Sequence, residues 1–501
     1  MNFAPEWSNF GQFISEKASI LGGKTFLTVA DDGSSDSYGE FDALSIQMAN
    51  WLCQKGINKG DVVAIICYNV REYLITLYGC LKIGALLCPI NPRLAEEEYL
   101  YILQDSGARL AIADNAEMIN NIKSRCPELR YVVNIDELCE EICDCGKELR
   151  DVHVSLADNA LLLYSSGTTG NPKGIVLTHG NILHNSRAAS KHFNMDHGMI
   201  FLLNAPLFFS GGLFPSFFAP LYAGASFVIA RKFSKTRFWH IIAKYNVTAT
   251  FCAPTMLSIL LNPPEDISGL DIKMDFIFGG GSYAPADLIE RFERMFGVKY
   301  YILYGLTENS AVCSASPLND RRLKSLGIPF DSCEMKVFGN RDKEVPDSIT
   351  GEIVIRGPII MKEYLNNPKE TAQALKGGWL HSGDLGYRKD GYYYYIARKK
   401  ELIIKGGENI SPAQIESVIL RHPDVSECAV VGVPDSIYGE DIAAFVVPRE
   451  GKIVKAGELI SFCRQHISEF KCPKEIIIAD SIPKTASGKV LRRKLAMGYG
   501  K

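Results

Sequence analysis

The sequence lacks an excess of charge of either sign. Its 54 Lys and Arg stand against 57 Asp and Glu, a net charge of -3 over 501 residues. That field is too weak to recruit a polyanion, so no nucleic-acid partner is expected. A basic segment leading into an apolar one is also missing: residues 1–10 contain no Lys or Arg. This argues against a secretory leader and makes the cytosol the expected location. There the fourteen cysteines are thiols, and most, such as Cys67, Cys80, Cys88 and Cys252, stand singly in apolar stretches where a thiol packs as a small hydrophobe. Cys139, Cys143 and Cys145 cluster, but a zinc ion would want a fourth soft ligand and only His153 is near, so no metal is assigned to them. Charge is absent altogether from residues 199–230, a run long enough for a membrane span. Pro206, Pro215, Pro220, Gly211, Gly212 and Gly224 punctuate it, which breaks a continuous helix several times and predicts a buried strand, loop, helix and strand, with no membrane span. Repeats and low-complexity segments are missing too.

What is present is an ordinary globular composition, 47% hydrophobic and 22% charged, on a chain too long for one hydrophobic core, so two or more domains are expected. In the first third, Phe41, Leu44, Met48, Trp51 and Leu52 share one helical face; an apolar strand follows at 62–67, a helix at 71–83 ending at Gly84, and a strand at 85–90. Further strands are predicted at 161–164, 174–178, 226–230, 248–252 and 276–278. This alternation predicts helix-covered parallel or mixed sheets. Near residue 396 the pattern changes. A tyrosine-rich strand at 392–396 runs into Arg398-Lys399-Lys400-Glu401, and beyond it helices at 412–421 and 457–467 alternate with strands at 425–433, 442–447 and 475–479. The expected fold class is therefore α/β: a large composite N-terminal domain over 1–396, a hinge at 397–400, and a small, mobile α+β C-terminal domain over 401–501. From Arg398 onward 17 Lys and Arg oppose 13 Asp and Glu, a net +4, which leaves -7 for the residues before it. A phosphate ligand between the two would suit this asymmetry, and so would plain solvated surfaces.

Between two of the predicted strands lies Tyr164-Ser165-Ser166-Gly167-Thr168-Thr169-Gly170-Asn171-Pro172-Lys173-Gly174. Its glycines let backbone amides approach an anion, the hydroxyls of Ser165, Ser166, Thr168 and Thr169 can donate, and Lys173 supplies charge. It is not a Walker A loop, because Lys173 precedes Gly174 and a strand rather than a hydroxyl residue and a helix. Composition alone leaves a simple polar hairpin as the competing reading. The segment resembles the phosphate loop of the adenylate-forming family, which includes acyl-CoA synthetases, luciferases and nonribosomal-peptide adenylation domains. In the same order, Tyr304-Gly305-Leu306-Thr307-Glu308 resembles that family's Tyr-Gly-x-Thr-Glu motif, and Gly378-Trp379-Leu380-His381-Ser382-Gly383-Asp384 its Gly-Trp-x-x-Thr-Gly-Asp segment. Arg398 through Gly407 resembles its hinge and following loop, and Lys484-Thr485-Ala486-Ser487-Gly488-Lys489 its C-terminal lysine motif. The likeness spans from Ser37-Tyr38 nearly to the end.

The resemblance implies an AMP-forming acid–thiol ligase using ATP, Mg2+ and CoA. An acyl adenylate forms with release of pyrophosphate, and the acyl group then passes to a thiol. Such chemistry gathers shifting negative charge and needs cations and amide donors around it. By resemblance Lys489 bridges the substrate carboxylate and the phosphate, Thr307 contacts the α-phosphate, and Glu308 holds the magnesium ion, which suits few carboxylates plus phosphate oxygens. Ser165, Ser166, Gly167, Thr168, Thr169, Gly170 and Lys173 bind the ATP phosphates. Tyr304 stacks on adenine, Gly280, Gly281 and Ser282 wall the adenine and acyl group, and Asp384 and Arg398 take the ribose hydroxyls. Without their motifs, Lys489 reads as a solvated lysine and Asp384 as a turn cap. Lys400 occupies the hinge, and Gly406 and Gly407 admit the pantetheine arm of CoA; a carrier protein's arm is the alternative acceptor.

Phe208, Phe209, Gly212 and Ser282 are the candidate acyl pocket. Phe209 stands where acyl-CoA synthetases of the family often carry His and amino-acid-activating relatives Asp. With no carboxylate there to pair an α-ammonium group, an apolar aliphatic or aryl acid is expected, although Phe214, Phe217 and Phe218 nearby also read as core. Ala397, Ser165, Ser382 and Glu363 are milder departures from the family pattern.

Overall fold

The computed structural model describes residues 7–150, 152–165, 172–282, 284–484 and 490–499. Two large sheets organise the N-terminal part. In the first, six parallel strands lie in the order Lys299–Tyr304, Phe276–Gly279, Ala249–Phe251, Ile200–Leu203, Ser226–Ile229, Thr25–Val29, with short antiparallel strands at both edges. The second joins the parallel strands Val62–Ile66, Leu86–Pro89, Leu110–Ala113 and Tyr131–Asn134 to the antiparallel hairpin Asn159–Ser165 and Lys173–Thr178.

Both faces of each sheet are covered, which is why these strands read as continuous apolar runs rather than alternating ones. Val63 and Ile65 enter the central core between the sheets, where Phe201, Leu203, Phe227 and Ile229 meet them. Val62, Ala64 and Ile66 point the other way, against the helix Glu96–Ser106. Leu202 and Ile277 likewise face a separate cluster with Trp239, Ile289 and Phe292. The helices Phe10–Leu21, Tyr38–Gln54, Arg71–Ile83 and His179–His192 contribute to the central core. Local signals fix their ends: Ser37 and Glu40 form a reciprocal capping box, and Thr178 with Asn181 forms another.

The charge-free stretch forms a strand, a loop, a helical segment and a strand, all largely buried. Its prolines do not interrupt the helical segment as the sequence suggests. Helical backbone continues from Ser210 to Ala223, and the five residues Phe214–Phe218 form a π-helical turn around Pro215. The wider turn relieves the clash and the missing N–H that a proline brings to an α-helix. Among the described residues no helix is long and apolar enough to cross a membrane.

A third, antiparallel sheet of Glu334–Phe338, Gly351–Arg356, Leu380–Lys389 and Tyr392–Arg398 leads to the smaller C-terminal domain. There the long hairpin Val425–Asp435 and Gly439–Pro448 has two packed faces. Val430, Ile442 and Ala444 lie against the helices Pro412–Ile419 and Ala456–His466, whereas Ala429, Val431 and Phe445 face Leu495.

One buried group makes this packing acid-sensitive. His179 opens its helix fully buried, and its Nδ1 accepts the Phe10 N–H at 3.2 Å, so the ring is neutral when folded. Burial depresses its pKa from 6.5 to about 4, against a smaller opposing pull from Asp158. Unfolded chains take up the proton first, so stability is complete above about pH 6.5 and falls as the pH drops toward about 4. The loss is about 3 kcal/mol. In urea titrations between pH 7.5 and 4.5, His179→Gln, which keeps an acceptor for Phe10, is expected to lose stability less steeply than the native chain; identical slopes would contradict this assignment.

Candidate active site

Parallel strands place the site. In open α/β sheets the carboxyl ends of the strands are where ligands gather, because the loops leaving neighbouring strands converge there. From the strand Lys299–Tyr304 the chain passes directly into Gly305, Leu306, Thr307 and Glu308; from Phe276–Gly279 it passes into Gly280, Gly281 and Ser282. Adjacent pairing of these strands brings the two loops side by side. Ser210, after Phe208 and Phe209, meets Thr307 hydroxyl to hydroxyl at 3.1 Å, which brings the third loop to the same place.

Three motifs converge on one carboxylate. The Asp384 side chain is 2% exposed; its Oδ2 accepts the Tyr304 hydroxyl at 2.9 Å and its Oδ1 lies 2.7 Å from Arg398 Nε. Asp384 and Arg398 are register partners in the hairpin Leu380–Lys389 and Tyr392–Arg398, and the Asp384 N–H is taken by the Ser382 hydroxyl at 3.0 Å. Burial, then the facing carboxylate, pushes the Tyr304 phenol well above its ordinary pKa, which keeps it a donor. Burial is the largest single influence on Arg398 and would lower its pKa, but Asp384 together with Tyr395, Tyr304 and Glu401 raises it on balance, and the guanidinium stays charged.

A second network surrounds Glu308, whose Oε1 accepts the Tyr364 hydroxyl at 2.9 Å. The short strand Glu363–Tyr364 is added to the edge of the Lys173–Thr178 strand, so the ring of Tyr364 lies 5.4 Å from Lys173 Nζ. Lys173 also pairs with Glu370. Lys173 and Ser165 face one another across the hairpin; Ser166, Gly167, Thr168, Thr169 and Gly170, between them in sequence, lie outside the described residues. A magnesium ion fits this donor set: Glu308 is a half-buried carboxylate oriented by Tyr364, next in sequence to the Thr307 hydroxyl, and Mg2+ takes one or two carboxylates and completes its shell with phosphate oxygens and water. Among the described residues no group of three or more His, Cys, Asp or Glu could hold a metal, so phosphate oxygens would have to supply much of the shell.

Ser282, Tyr304, Asp384, Arg398 and Lys400 line a cleft of about 1190 Å³ between the large part and the small domain. From the small domain Lys484, Val490 and Arg492 line it too; Lys489 lies outside the described residues. Arg492 binds Glu416 through Nη2 at 2.7 Å and approaches Glu401, beside Lys400, at 3.5 Å. Ser411 donates to the Ile396 carbonyl at 2.7 Å, a second tie across the junction. Gly406 and Gly407 sit in an exposed hairpin at φ +58° and +86°, a backbone that residues with side chains rarely adopt.

Among the aromatics of the acyl region, Phe214, Phe217 and Phe218 are fully buried in the central core and do not form a pocket wall. Phe208 is nearly buried and packs edge-on at 4.6 Å against Phe209, which is half-exposed. Gly212 is dictated by sterics, since a Cβ there would collide with the Pro206 carbonyl. Sequence reasoning missed Ser210, Glu370 and the tie of Tyr364 to Glu308; the unusual Glu363 beside Tyr364 was the one signal near any of them.

Comparison with known proteins follows the same outline. The family model for AMP-binding enzymes matches residues 15–365, and that for the AMP-binding enzyme C-terminal domain matches residues 414–489. The chain is 32% identical to a crotonobetaine/carnitine–CoA ligase of Escherichia fergusonii, over 97% of this chain and 98% of that one. It is 34% identical to an oxalate–CoA ligase of Arabidopsis thaliana, over 89% of each. The crystal structure of the anthranilate CoA ligase AuaEII with anthranoyl-AMP superimposes with a TM-score of 0.92 at 27% identity, covering 98% of this chain and 97% of that one.

Removal of single groups from the Asp384 network should be costly and non-additive. Tyr304→Phe is expected to lose about 1 kcal/mol. Asp384→Asn should lose roughly 2–3 kcal/mol, below the range for a fully buried pair because the Arg398 side chain is 37% exposed. Denaturant titration of both singles and the double variant checks this; strict additivity would mean the three groups do not act as one unit.

Proposed function

The chain belongs to the AMP-binding enzyme family and is an AMP-forming acid–CoA ligase that works with ATP, Mg2+ and CoA; from that premise we propose that it adenylates an apolar aliphatic or aryl carboxylic acid in the cleft between its domains and then, after the small domain turns about Lys400, transfers the acyl group to CoA. The observation that carries the site assignment is the meeting of Tyr304, Asp384 and Arg398 beside Thr307 and Glu308 at one end of one parallel sheet.

In this reading the nucleotide lies across the strand ends. Asp384 has spare lone-pair capacity for ribose hydroxyls, Arg398 adds donors, and the Tyr304 ring, held by its own hydroxyl bond, offers a flat face to adenine. The Thr307 hydroxyl, with Ser210 behind it, is a donor for the α-phosphate. Lys173 and the phosphate loop, with Ser165 to Gly170, hold the departing pyrophosphate. Glu308 would hold a magnesium ion, which would supply charge neutralisation to the phosphates. Lys489 brings an ammonium group to the carboxylate and α-phosphate; Lys484, Val490 and Arg492 on either side of its segment border the same cleft, which supports that placement. Gly280, Gly281 and Ser282 form the wall shared by adenine and acyl group. Cytosolic residence agrees with fourteen free thiols.

Two orientations of the small domain follow from the chemistry, because an ammonium over the carboxylate blocks the approach of a thiol. Domain limits of 1–396, 397–400 and 401–501 place Lys400 at the pivot, with Gly406 and Gly407 brought round to admit the pantetheine arm. Lys489→Ala is expected to lose adenylation while still making thioester from supplied acyl adenylate. Lys400→Pro should do the reverse. Half-reaction assays of each step decide it, and equal loss of both steps in both variants would sink the two-orientation reading.

For the acid, Phe208 and Phe209 with Gly212 and Ser282 support an apolar occupant, since no carboxylate stands at Phe209 to meet an ammonium group. Pyrophosphate release should therefore be fastest with aliphatic or aryl monocarboxylates in a panel that also holds amino acids, a trimethylammonium acid and dicarboxylates. A higher kcat/KM for any charged acid would overturn the apolar assignment. Repeating the winning acid with CoA and with a carrier protein's pantetheine arm decides the acceptor.

A further inference from the structure

One contact alters the charge presented at the end of the phosphate loop. Lys173 opens the strand that follows the phosphate loop, yet its ammonium is engaged: it pairs with the carboxylate of Glu370 and lies over the ring of Tyr364 at 5.4 Å. Tyr364 passes the connection on, donating to Glu308 at 2.9 Å. Glu370 is in the first turn of the helix Pro368–Ala374, whose N-cap Asn367 accepts the Glu370 N–H at 3.2 Å. That helix follows directly from Glu363–Tyr364, which is hydrogen-bonded to Val176 and Ile175 of the Lys173 strand itself. Thus Glu370, Tyr364 and Lys173 are carried by one continuous piece of sheet edge and helix, and the pairing is built into the backbone rather than left to two wandering side chains.

We propose that Glu370 is a positioning residue for the ATP phosphates: a counter-charge that presents Lys173 over Tyr364 and competes with the polyphosphate for it, so that ATP and pyrophosphate are both held more loosely than an unpaired lysine would hold them. This rests on the reading of Lys173 as a phosphate-binding lysine. The pair is partly solvated, with side-chain exposures of 27% and 36%, so water screens it and it shifts an equilibrium by no more than about fivefold. A polyphosphate offers Lys173 several charge-assisted bonds and displaces Glu370. The tethered carboxylate stays close by, and when pyrophosphate leaves, Lys173 has a partner waiting. Glu370 makes and breaks no covalent bond in this scheme; it sets how tightly the anions on either side of the reaction are held.

The test is kinetic, on the full chain with magnesium and a turned-over acid. Glu370→Gln should lower KM for ATP and the inhibition constant of pyrophosphate together, by about two- to fivefold at low ionic strength, with the gain shrinking as salt is added. Glu370→Asp should return both constants toward the native values. In a Lys173→Met background Glu370→Gln should change neither. The proposal is overturned if Glu370→Gln leaves both constants unmoved, raises KM for ATP, or acts undiminished without Lys173. If Lys173→Met weakens ATP binding while Glu370→Gln is silent, only the role of Glu370 falls; if Lys173→Met leaves ATP binding unchanged, the phosphate-lysine reading falls and takes this proposal with it.

Discussion

The buried carboxylate of Asp384 is the constraint on which the arrangement of this molecule depends. A carboxylate with a side chain 2% exposed is tolerable only when its charge and lone pairs are met, because taking an ion out of water costs several kcal/mol even after relaxation. Tyr304 and Arg398 meet it, and each belongs to a different unit of the fold. Tyr304 ends a strand of the first parallel sheet, while Arg398 ends the last strand before the small domain. The demand for satisfaction at one oxygen pair therefore fixes how the antiparallel sheet docks on the parallel one and where the chain leaves for the small domain.

Strand ends of the parallel sheet supply backbone, hydroxyls and Glu308 to the site, and the region after the strand Ile200–Leu203 brings Phe208 and Phe209 up to it through Ser210. Buried neutral groups elsewhere, such as His179, are sustained by single well-placed hydrogen bonds. Charged groups near the cleft are instead linked in chains: Glu370, Lys173, Tyr364 and Glu308 in one, Glu401, Arg492 and Glu416 in another. Glu416, buried beneath the second chain, has its pKa raised by burial against the pull of Arg492. A network of this kind tolerates a change of occupant better than an isolated pair does, because each member keeps one partner while another is exchanged.

Much of this was legible in the sequence for a simple reason. Doubly covered parallel strands leave continuous apolar runs, and amphipathic helices leave a 3.6-residue period, so the strands near 62–67, 161–164, 226–230 and 276–278 and the helix Arg71–Ile83 could be read locally. The loops at strand ends carry glycine and hydroxyl signatures that are local as well. What could not be read is contact across the fold. Tyr304 looks like an adenine platform in sequence, and nothing near it in the chain announces that its hydroxyl belongs to Asp384. Tyr364 and Glu370 become partners of Glu308 and Lys173 only because a two-residue strand is added to a sheet edge, an event with almost no periodicity to detect. The π-turn at Phe214–Phe218 was invisible for the opposite reason: proline is a strong local breaker signal, and tertiary burial of three phenylalanines overrode it.

The charge balance argues for locality too. Net charge of -7 before Arg398 and +4 from Arg398 onward would suggest that the C-terminal part attracts the nucleotide. At physiological ionic strength, however, charges farther apart than about 8 Å are largely screened, so the summed values say little about an anion already inside the cleft. What acts there is the handful of groups within reach. Two cations of the site, Lys173 and Arg398, are each already matched by a carboxylate, Glu370 and Asp384. The two matches differ in kind. Asp384 is buried and shared with Tyr304, so Arg398 cannot leave it cheaply. Glu370 is half-exposed, so Lys173 can part from it at little cost. The two cations thus differ in how firmly they are held, a division set by burial rather than by charge.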